Sequence, residues 1–459
     1  MMMDLQRLAG ATQGRLIGEN REFASVSTDS RTIGAGQLFI ALRGERFDGH
    51  AFLAQVKAQG AVAALVAEDA VAGLEALDLP LVAVPDTRLA LGDLARTWRA
   101  SFALPLVAVT GSNGKTTTKE MLAAILQAEV GADRVLATRG NFNNDIGLPL
   151  TLLQLMEQHR YAVAEMGMNH PGEIAYLVGI AQPSVALVTN AQRAHLEGMG
   201  DLSGIAEEKG TIYSGLGTDG VALVNRDDAF ADYWLGINQG RRVRTFGLKP
   251  GADVTGTVQA HGLEVQLHLR APEGEADIRL QVPGLHNARN GVAAAAAALA
   301  AGASMDAVRR GLEGFAGVKG RLQRKPGLQG AVILDDTYNA NPDSVRAGID
   351  VLAATVGKQI LVLGDMGEIG EMSAQFHDEI GGYAKSQGID QLFTLGESSA
   401  LAARNFGSGG RHFKKLEELL AALRPELTAS TTVLVKGSRF MRMERVADAL
   451  TQIGNGEKA

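Results

Sequence analysis

Short apolar runs recur along the chain, each closed by glycine, asparagine or charged residues and followed by an amphipathic or alanine-rich stretch. Ser25–Asp29, Leu38–Leu42, Ala61–Ala67 and Leu81–Val84 read as strands, with a helix over Ala51–Gln59 that Gly60 stops. Asp86–Ala100 is predicted as a connecting helix. Leu106–Val109, Tyr161–Met166, Ser184–Asn190, Val221–Asn225 and Val243–Phe246 form a second set of strands, with helices over Lys115–Gln127 and Ile205–Leu216. Asp253–Leu280 alternates polar and apolar residues around Gly262, which predicts an antiparallel ribbon. Ala331–Thr337, Ile360–Leu363, Gln391–Leu395 and Thr432–Val435 are strands again, and Asn341-Pro342 is a strong helix start. Strands that alternate with helices imply parallel, doubly wound sheets. The expected fold is α/β in three domains: a small α/β unit over residues 1–85, a central parallel sheet over 86–314, and a Rossmann-like doubly wound sheet over 315–459.

A chain of 459 residues supports more than one core. The 56 glycines fit many strand-to-helix turns. The net charge of −7 gives no nucleic-acid footprint. With no cysteine, disulfides and thiolate metal sites are excluded. The N-terminus lacks a basic segment followed by an apolar one, and the longest nearly apolar run, Gly291–Gly302, is too short to span a bilayer. A cytoplasmic protein without membrane insertion is expected.

The chemistry centres on Thr110-Gly111-Ser112-Asn113-Gly114-Lys115-Thr116-Thr117. A strand, a glycine turn and a helix follow one another, so backbone N–H groups and the helix dipole can converge on phosphate. Lys115 supplies a cation for the terminal phosphates and Thr116 a hydroxyl for Mg²⁺. Val109 stands where the usual P-loop has its first glycine, which makes this a shortened form and the central unit a P-loop, ATPase-like domain. Glu165 and His195 lie at or beyond strand ends, on the edge where open parallel sheets bind ligands, and a carboxylate there is a metal-binding candidate. The amide-rich loop Thr138–Pro149, with Asn143 and Asn144, suits a polar ligand. Asn287 and Asn290 share a helix face and could read a purine edge, although capping is the simpler account of Asn287. Asp29-Ser30-Arg31 and Arg43-Gly44-Glu45-Arg46-Phe47-Asp48-Gly49-His50 are polar clusters placed after strands; Arg31 could bind a phosphate or carboxylate, with solvated loop charge as the plainer reading. For Lys209 the plain reading is a helical ion pair or solvated charge. A nucleotide site with these companions fits ATP-driven activation of a carboxylate: γ-phosphoryl transfer makes an acyl phosphate, which an amine then attacks.

Together with Ala194-His195-Leu196, His286-Asn287-x-x-Asn290 and Gly320-Arg321, the P-loop and Glu165-Met166-Gly167 resemble the Mur ligases of peptidoglycan synthesis, over all three units. Asn141-Phe142-Asn143-Asn144, Glu165–Ile174 and Asp335–Pro342 are similar to the segments of the last-acting ligase of that family. The resemblance implies a bacterial enzyme that joins D-alanyl-D-alanine to UDP-N-acetylmuramoyl-tripeptide with ATP and two Mg²⁺ ions. It implies that Ser30, Arg31, Asp48, Gly49 and His50 lie near the UDP moiety, and that Thr116, Glu165 and His195 serve Mg²⁺. Lys209 matches the lysine that relatives carbamylate for a second Mg²⁺, although here Glu207-Glu208 precede it and Thr211 follows Gly210 where relatives often carry Glu. Asn287, Asn290, Arg321 and Asp336 match ATP contacts, and Asn339 and Asn341 would lie near the incoming dipeptide, held by the C-terminal domain as it closes on ATP. Monomeric action on small-molecule substrates is expected. Folylpolyglutamate or cyanophycin-type ligases, and a non-catalytic ATP-binding regulator, are the rival readings.

Overall fold

The structure is a computed structural model that describes residues 1–74, 77–194 and 196–451. The first sheet contains β1 (Arg15–Ile17), β2 (Ser25–Ser27), β3 (Gln37–Ile40), β4 (Ala63–Ala67) and β5 (Leu81–Val84), in the order β1-β5-β4-β3-β2. Only β1 runs antiparallel, against β5. The predicted helix over Ala51–Gln59 is divided: a 3₁₀ turn at Gly49–Phe52, capped by Asp48 through the His50 N–H, precedes an α-helix at Leu53–Ala58. Helix α1 (Thr87–Arg99), capped by Asp86, packs between this sheet and the next.

The central sheet is built from β6 (Leu106–Thr110), β7 (Val135–Ala137), β8 (Tyr161–Glu165), β9 (Val185–Val188), β10 (Val221–Asn225) and β11 (Arg242–Phe246). They are parallel throughout, in the order β7-β8-β6-β9-β10-β11. Successive residues of β6 face opposite layers: Leu106 and Ala108 join the core that includes α1, whereas Val107 and Val109 join the core under helix α2 (Lys115–Val130). This two-sided burial explains why the strands read as continuous apolar runs rather than alternating ones. Helix α3 (Glu173–Ala181) lies on the α1 side, with helix α4 (Leu202–Gly210) beyond it. The helix predicted over Ile205–Leu216 keeps α-form only to Gly210 and tightens to 3₁₀ over Thr211–Gly215, where Ile212 and Tyr213 stay buried.

The predicted ribbon is three antiparallel strands, β12 (Thr255–His261), β13 (Glu264–Ala271) and β14 (Gly274–Leu280), with Gly262 in the first turn at φ +60°. Between the ribbon and the central sheet lies helix α5 (Leu285–Ala300). Val292 through Leu299 are all buried, so this helix has no solvent face along its alanine run. Helix α6 (Met305–Gly314) packs on α2, close enough that a Cβ on Gly311 would stand 2.6 Å from the Ile125 backbone nitrogen.

The third sheet contains β15 (Gln323–Pro326), β16 (Val332–Asp336), β17 (Lys358–Gly364), β18 (Gln391–Leu395), β19 (Gly410–Phe413) and β20 (Thr431–Lys436), in the order β15-β16-β20-β17-β18-β19. Edge strand β15 alone is antiparallel. Leu361 and Leu363 face one helical layer and Ile360 and Val362 the other, as a doubly wound sheet requires. Helix α7 (Pro342–Ala353) begins with a capping box between Asn341 and Ser344, and helix α8 (Ser373–Ser386) packs beside it. Leu263, at the ribbon's tip, packs against the core under α7. Among the described residues no helix is long and apolar enough to cross a membrane.

Candidate active site

The C-terminal ends of β6, β8 and β9 meet the start of α7 around a cavity of 1410 Å³. Gly111 at φ +149° and Gly114 at φ +79° shape the P-loop, and Gly114 caps α2. Each glycine is required by a close approach: a Cβ on Gly111 would overlap the Thr189 hydroxyl, and one on Gly114 would overlap the Asn290 amide oxygen. Ser112 Oγ donates to the Gln192 carbonyl (3.0 Å), and the Asn113 backbone N–H donates to Asn190 Oδ1 (2.9 Å). Ser112, Asn113, Gly114, Lys115, Thr116 and Thr117 line the cavity. Thr110 does not: it is fully buried and donates to the Met166 carbonyl at 2.8 Å. Lys115 Nζ donates to the Gly111 carbonyl at 2.5 Å. Burial lowers its pKa, the Glu165 carboxylate opposes this, and the Arg321 cation adds to it.

Glu165, at the end of β8, is 2% exposed. Its Oε1 accepts from Asn143 Nδ2 (2.9 Å) and from the Thr116 hydroxyl (3.2 Å). Its Oε2 is buried and meets no hydrogen-bond donor among the described residues. A buried carboxylate oxygen without a partner costs free energy unless a cation takes that place. Glu165 and Thr116 present the hard oxygen donors that Mg²⁺ prefers. The strand end is fixed from behind: the Glu165 N–H donates to Thr138 Oγ1 (3.0 Å), and the fully buried Lys119 donates to the Thr138 carbonyl (2.7 Å). His195 lies outside the described residues. Among the described residues no group of three or more His, Cys, Asp or Glu is arranged to hold a metal.

Lys209, on α4, is 1% exposed and does not line the cavity. Burial, with the Lys115 cation nearby, pushes its pKa well below the usual lysine value. It is no surface ion pair. Its neighbour Glu208 accepts from the backbone N–H groups of Gly172 and Ile174, both at 2.9 Å. Glu208 therefore caps α3 and holds the Met168–Gly172 loop that lines the cavity, a role that sequence reasoning missed.

The opposite wall comes from the third sheet and α5. Arg321 Nη2 donates to Thr116 Oγ1 (3.1 Å) while its guanidinium stacks over Tyr338 at 4.2 Å. Asn341 Nδ2 donates to Asn113 Oδ1 (2.8 Å). Asp336 accepts from Lys436 Nζ (2.6 Å) and from the Leu322 N–H (3.2 Å). Lys436 also donates to the Asn339 carbonyl at 2.9 Å. Asn287 is the third residue of α5, which Gly284 caps, so it is not the cap itself; its Nδ2 donates to the Pro283 carbonyl (2.7 Å). Asn290 Nδ2 donates to Asn287 Oδ1 (3.2 Å). Asn143, Asn144, Asn287, Asn290, Asn339 and Asn341 all line the cavity, although the Asn144 side chain is engaged in capping Gly147.

The first-sheet candidates lie apart from this cavity. Ser30 and Arg31 follow β2, and Asp48, Gly49 and His50 follow β3, so both groups sit beyond the C-terminal ends of adjacent parallel strands. Arg31 pairs with Asp29 at 2.7 Å in solvent. His50 is pinned: Nδ1 meets Asp48 Oδ1 at 2.5 Å and Nε2 accepts from the Ala67 N–H at 2.9 Å.

Descriptions of known families match almost every part of this architecture: Mur ligase family, catalytic domain, over residues 22–99; Mur ligase middle domain over 109–298; and Mur ligase, glutamate ligase domain, over 320–439. The chain belongs to the Mur ligase family. Within the family it is 42% identical over 456 residues to UDP-N-acetylmuramoyl-tripeptide–D-alanyl-D-alanine ligase of Escherichia coli K12, covering 98% of both chains. It is 36% identical to the Bacillus subtilis protein of the same name, covering 93% of each. A crystal structure of MurF from Acinetobacter baumannii superposes with a TM-score of 0.89 at 37% identity, over 97% of this chain and 98% of that one. MurF ligase from Thermotoga maritima, solved in complex with ADP, gives 0.78 at 27% identity, over 93% and 96%. The three-domain α/β fold of Mur ligases is therefore the fold of this chain.

Proposed function

We propose that the protein is an ATP-dependent ligase that joins D-alanyl-D-alanine to UDP-N-acetylmuramoyl-tripeptide, completing the nucleotide-linked pentapeptide used to build peptidoglycan. The observation that carries this reading is likeness to ligases of that name over nearly the whole chain, with the P-loop, Glu165 and Arg321 converging on one cavity. The tripeptide carboxylate attacks the γ-phosphorus of ATP and ADP leaves, which gives an acyl phosphate. The dipeptide amine then adds to the acyl carbon, and phosphate leaves from the tetrahedral intermediate with loss of the ammonium proton to solvent. Lys115 and the P-loop N–H groups hold the phosphates, and Arg321 reaches the same place from the third sheet. Asn287 and Asn290 would hold the adenine. Asn339 and Asn341 would face the dipeptide, and Asn143 and Asn144 the tripeptide end. Ser30, Arg31 and the Asp48–His50 turn would meet the UDP moiety.

Thr116 and Glu165 would hold one Mg²⁺, which supplies Lewis-acid polarisation of the phosphoryl oxygens. A second ion would be served by His195 and a carbamylated Lys209. The lowered pKa of Lys209 supports this, because only a neutral amine adds CO₂. Glu208 is no substitute anion, since its carboxylate is committed to capping α3. A nucleotide-linked substrate and a need for ATP support action in the bacterial cytoplasm.

The test is phosphate release by purified protein given ATP, UDP-muramoyl-tripeptide and D-alanyl-D-alanine. Dipeptide-dependent release that Lys115→Ala abolishes is expected. Release no greater than without dipeptide would overturn the assignment.

A further inference from the structure

Arg193 lies in the loop after β9, next to residues that hold the P-loop, yet its side chain is spent on the third sheet's helices. Its backbone N–H donates to Asp343 Oδ2 at 2.9 Å. Its guanidinium donates to Asp343 Oδ1 from Nη2 (2.7 Å) and Nε (3.1 Å), and to both oxygens of Glu379 from Nη1 (3.3 and 3.2 Å). The guanidinium also sits 5.2 Å from the centre of the Phe376 ring. Only 22% of the Arg193 side chain is exposed, against 23% for Asp343 and 28% for Glu379. Glu379 is shared with Arg346, which donates at 2.7 Å and stacks over Tyr383. The two carboxylates thus meet Arg193 across the junction of the central and third sheets, and Glu379 is held as well by Arg346 from within the third sheet's own helices.

Two features separate this from an ordinary surface pair. The contact is a planar fork on carboxylate, reinforced by a backbone N–H, in a half-buried setting where such pairs are strong. Its position is also specific. Asp343 is the second residue of α7, and two residues earlier Asn341 bonds to Asn113 of the P-loop. On the other side, Gln192 precedes Arg193 and bonds to both Ser112 and Asn113. Arg193 therefore closes a ring: P-loop, β9 loop, α7 start, and back to the P-loop.

We propose that Arg193 is a positioning residue whose bonds to Asp343 and Glu379 hold the start of α7 against the P-loop and so set the apparent affinity for the dipeptide. The inference rests on the ligase reading above for the identity of the substrate. When only a fraction of molecules is in the binding-competent arrangement, apparent affinity falls by that fraction. Loss of the fork should therefore appear in the KM for D-alanyl-D-alanine, because saturating dipeptide restores the arrangement.

The experiment compares wild type with Arg193→Met, Arg193→Lys and Asp343→Asn. Arg193→Met and Asp343→Asn should each raise the dipeptide KM about tenfold while kcat falls less than about threefold, with Arg193→Lys between them and wild type. Small-angle scattering with a non-hydrolysable ATP analogue should show both variants more expanded than wild type. An unchanged dipeptide KM, a fall in kcat alone, or identical scattering curves would overturn the proposal. If Arg193→Met does not fold, Asp343→Asn decides by the same criteria. The scattering arm involves no ligation, so a wild type that fails to ligate refutes the assigned reaction and leaves the positioning role to be judged on shape alone.

Discussion

Gly114→Ala tests whether the P-loop turn is held by backbone conformation, by side-chain contact, or by both. Gly114 caps α2 at φ +79°, ψ −5°. An L-residue in that region costs about 1–2 kcal/mol. The new methyl would also overlap Asn290 Oδ1, with Asn290 Cγ only 3.1 Å away. Asn290 must then swing, which breaks its bond to Asn287 (3.2 Å) and the weaker one from Thr118 (3.4 Å). Those losses are worth about 0.5–1.5 kcal/mol each. The total expected destabilisation is about 2–5 kcal/mol. Urea unfolding followed by the fluorescence of Trp98 and Trp234, both packed on the central core, would measure it. In an Asn290→Ala background the overlap is gone and only the conformational cost, about 1–2 kcal/mol, should remain. An equal penalty in both backgrounds would refute the contact argument. A penalty below about 0.5 kcal/mol in both would refute the conformational one.

Two further outcomes are expected. Lys209→Ala should lose most ligase activity and regain part of it with short carboxylates such as acetate; in wild type, ¹³CO₂ should give a carbamate carbon resonance that the variant lacks, and full activity of the variant without additives would reject this role. Burial pushes the His286 pKa from 6.5 to about 4. Between those values the unfolded chain binds a proton that the native protein does not, so stability rises as pH rises from about 4 to 6.5, by up to roughly 1.4 kcal/mol per pH unit. His286→Asn should flatten that part of the urea-midpoint profile; an unchanged slope would show that other groups carry it.

The central strands were legible because two-sided burial writes them as apolar runs: Val221–Asn225 matches its predicted bounds, as do Leu81–Val84 and Gln391–Leu395. Several strands at sheet edges were not, although Ser25–Ser27 and Arg242–Phe246, also at edges, were. Arg15–Ile17, Gln323–Pro326 and Gly410–Phe413 are short and part-exposed, so they carry neither an apolar run nor a clean alternation. In the site, glycine spacing and strand ends pointed to Gly111, Gly114, Lys115 and Glu165. The pairing of Asn113 with Asn341 and of Thr116 with Arg321 joins residues more than two hundred positions apart, and nothing local encodes it. Arg193 and Glu208 were hidden for a related reason: each is an ordinary charge until its distant partner is known. Glu208 in particular stands where a lysine-flanking helix invites an ion-pair reading, yet it serves the backbone of another helix.

The alanine run of α5 bears on how freely this sequence can drift. Its small side chains let the ribbon, the P-loop helix and the central sheet approach it from every side. No position from Val292 to Leu299 has a solvent side where a longer residue could extend. A substitution there pries apart layers that also carry Asn287, Asn290 and Lys115. This segment, whose composition is the plainest in the chain, is thus where variation should be purged most strictly, while the polar outer face of the neighbouring ribbon is free to change.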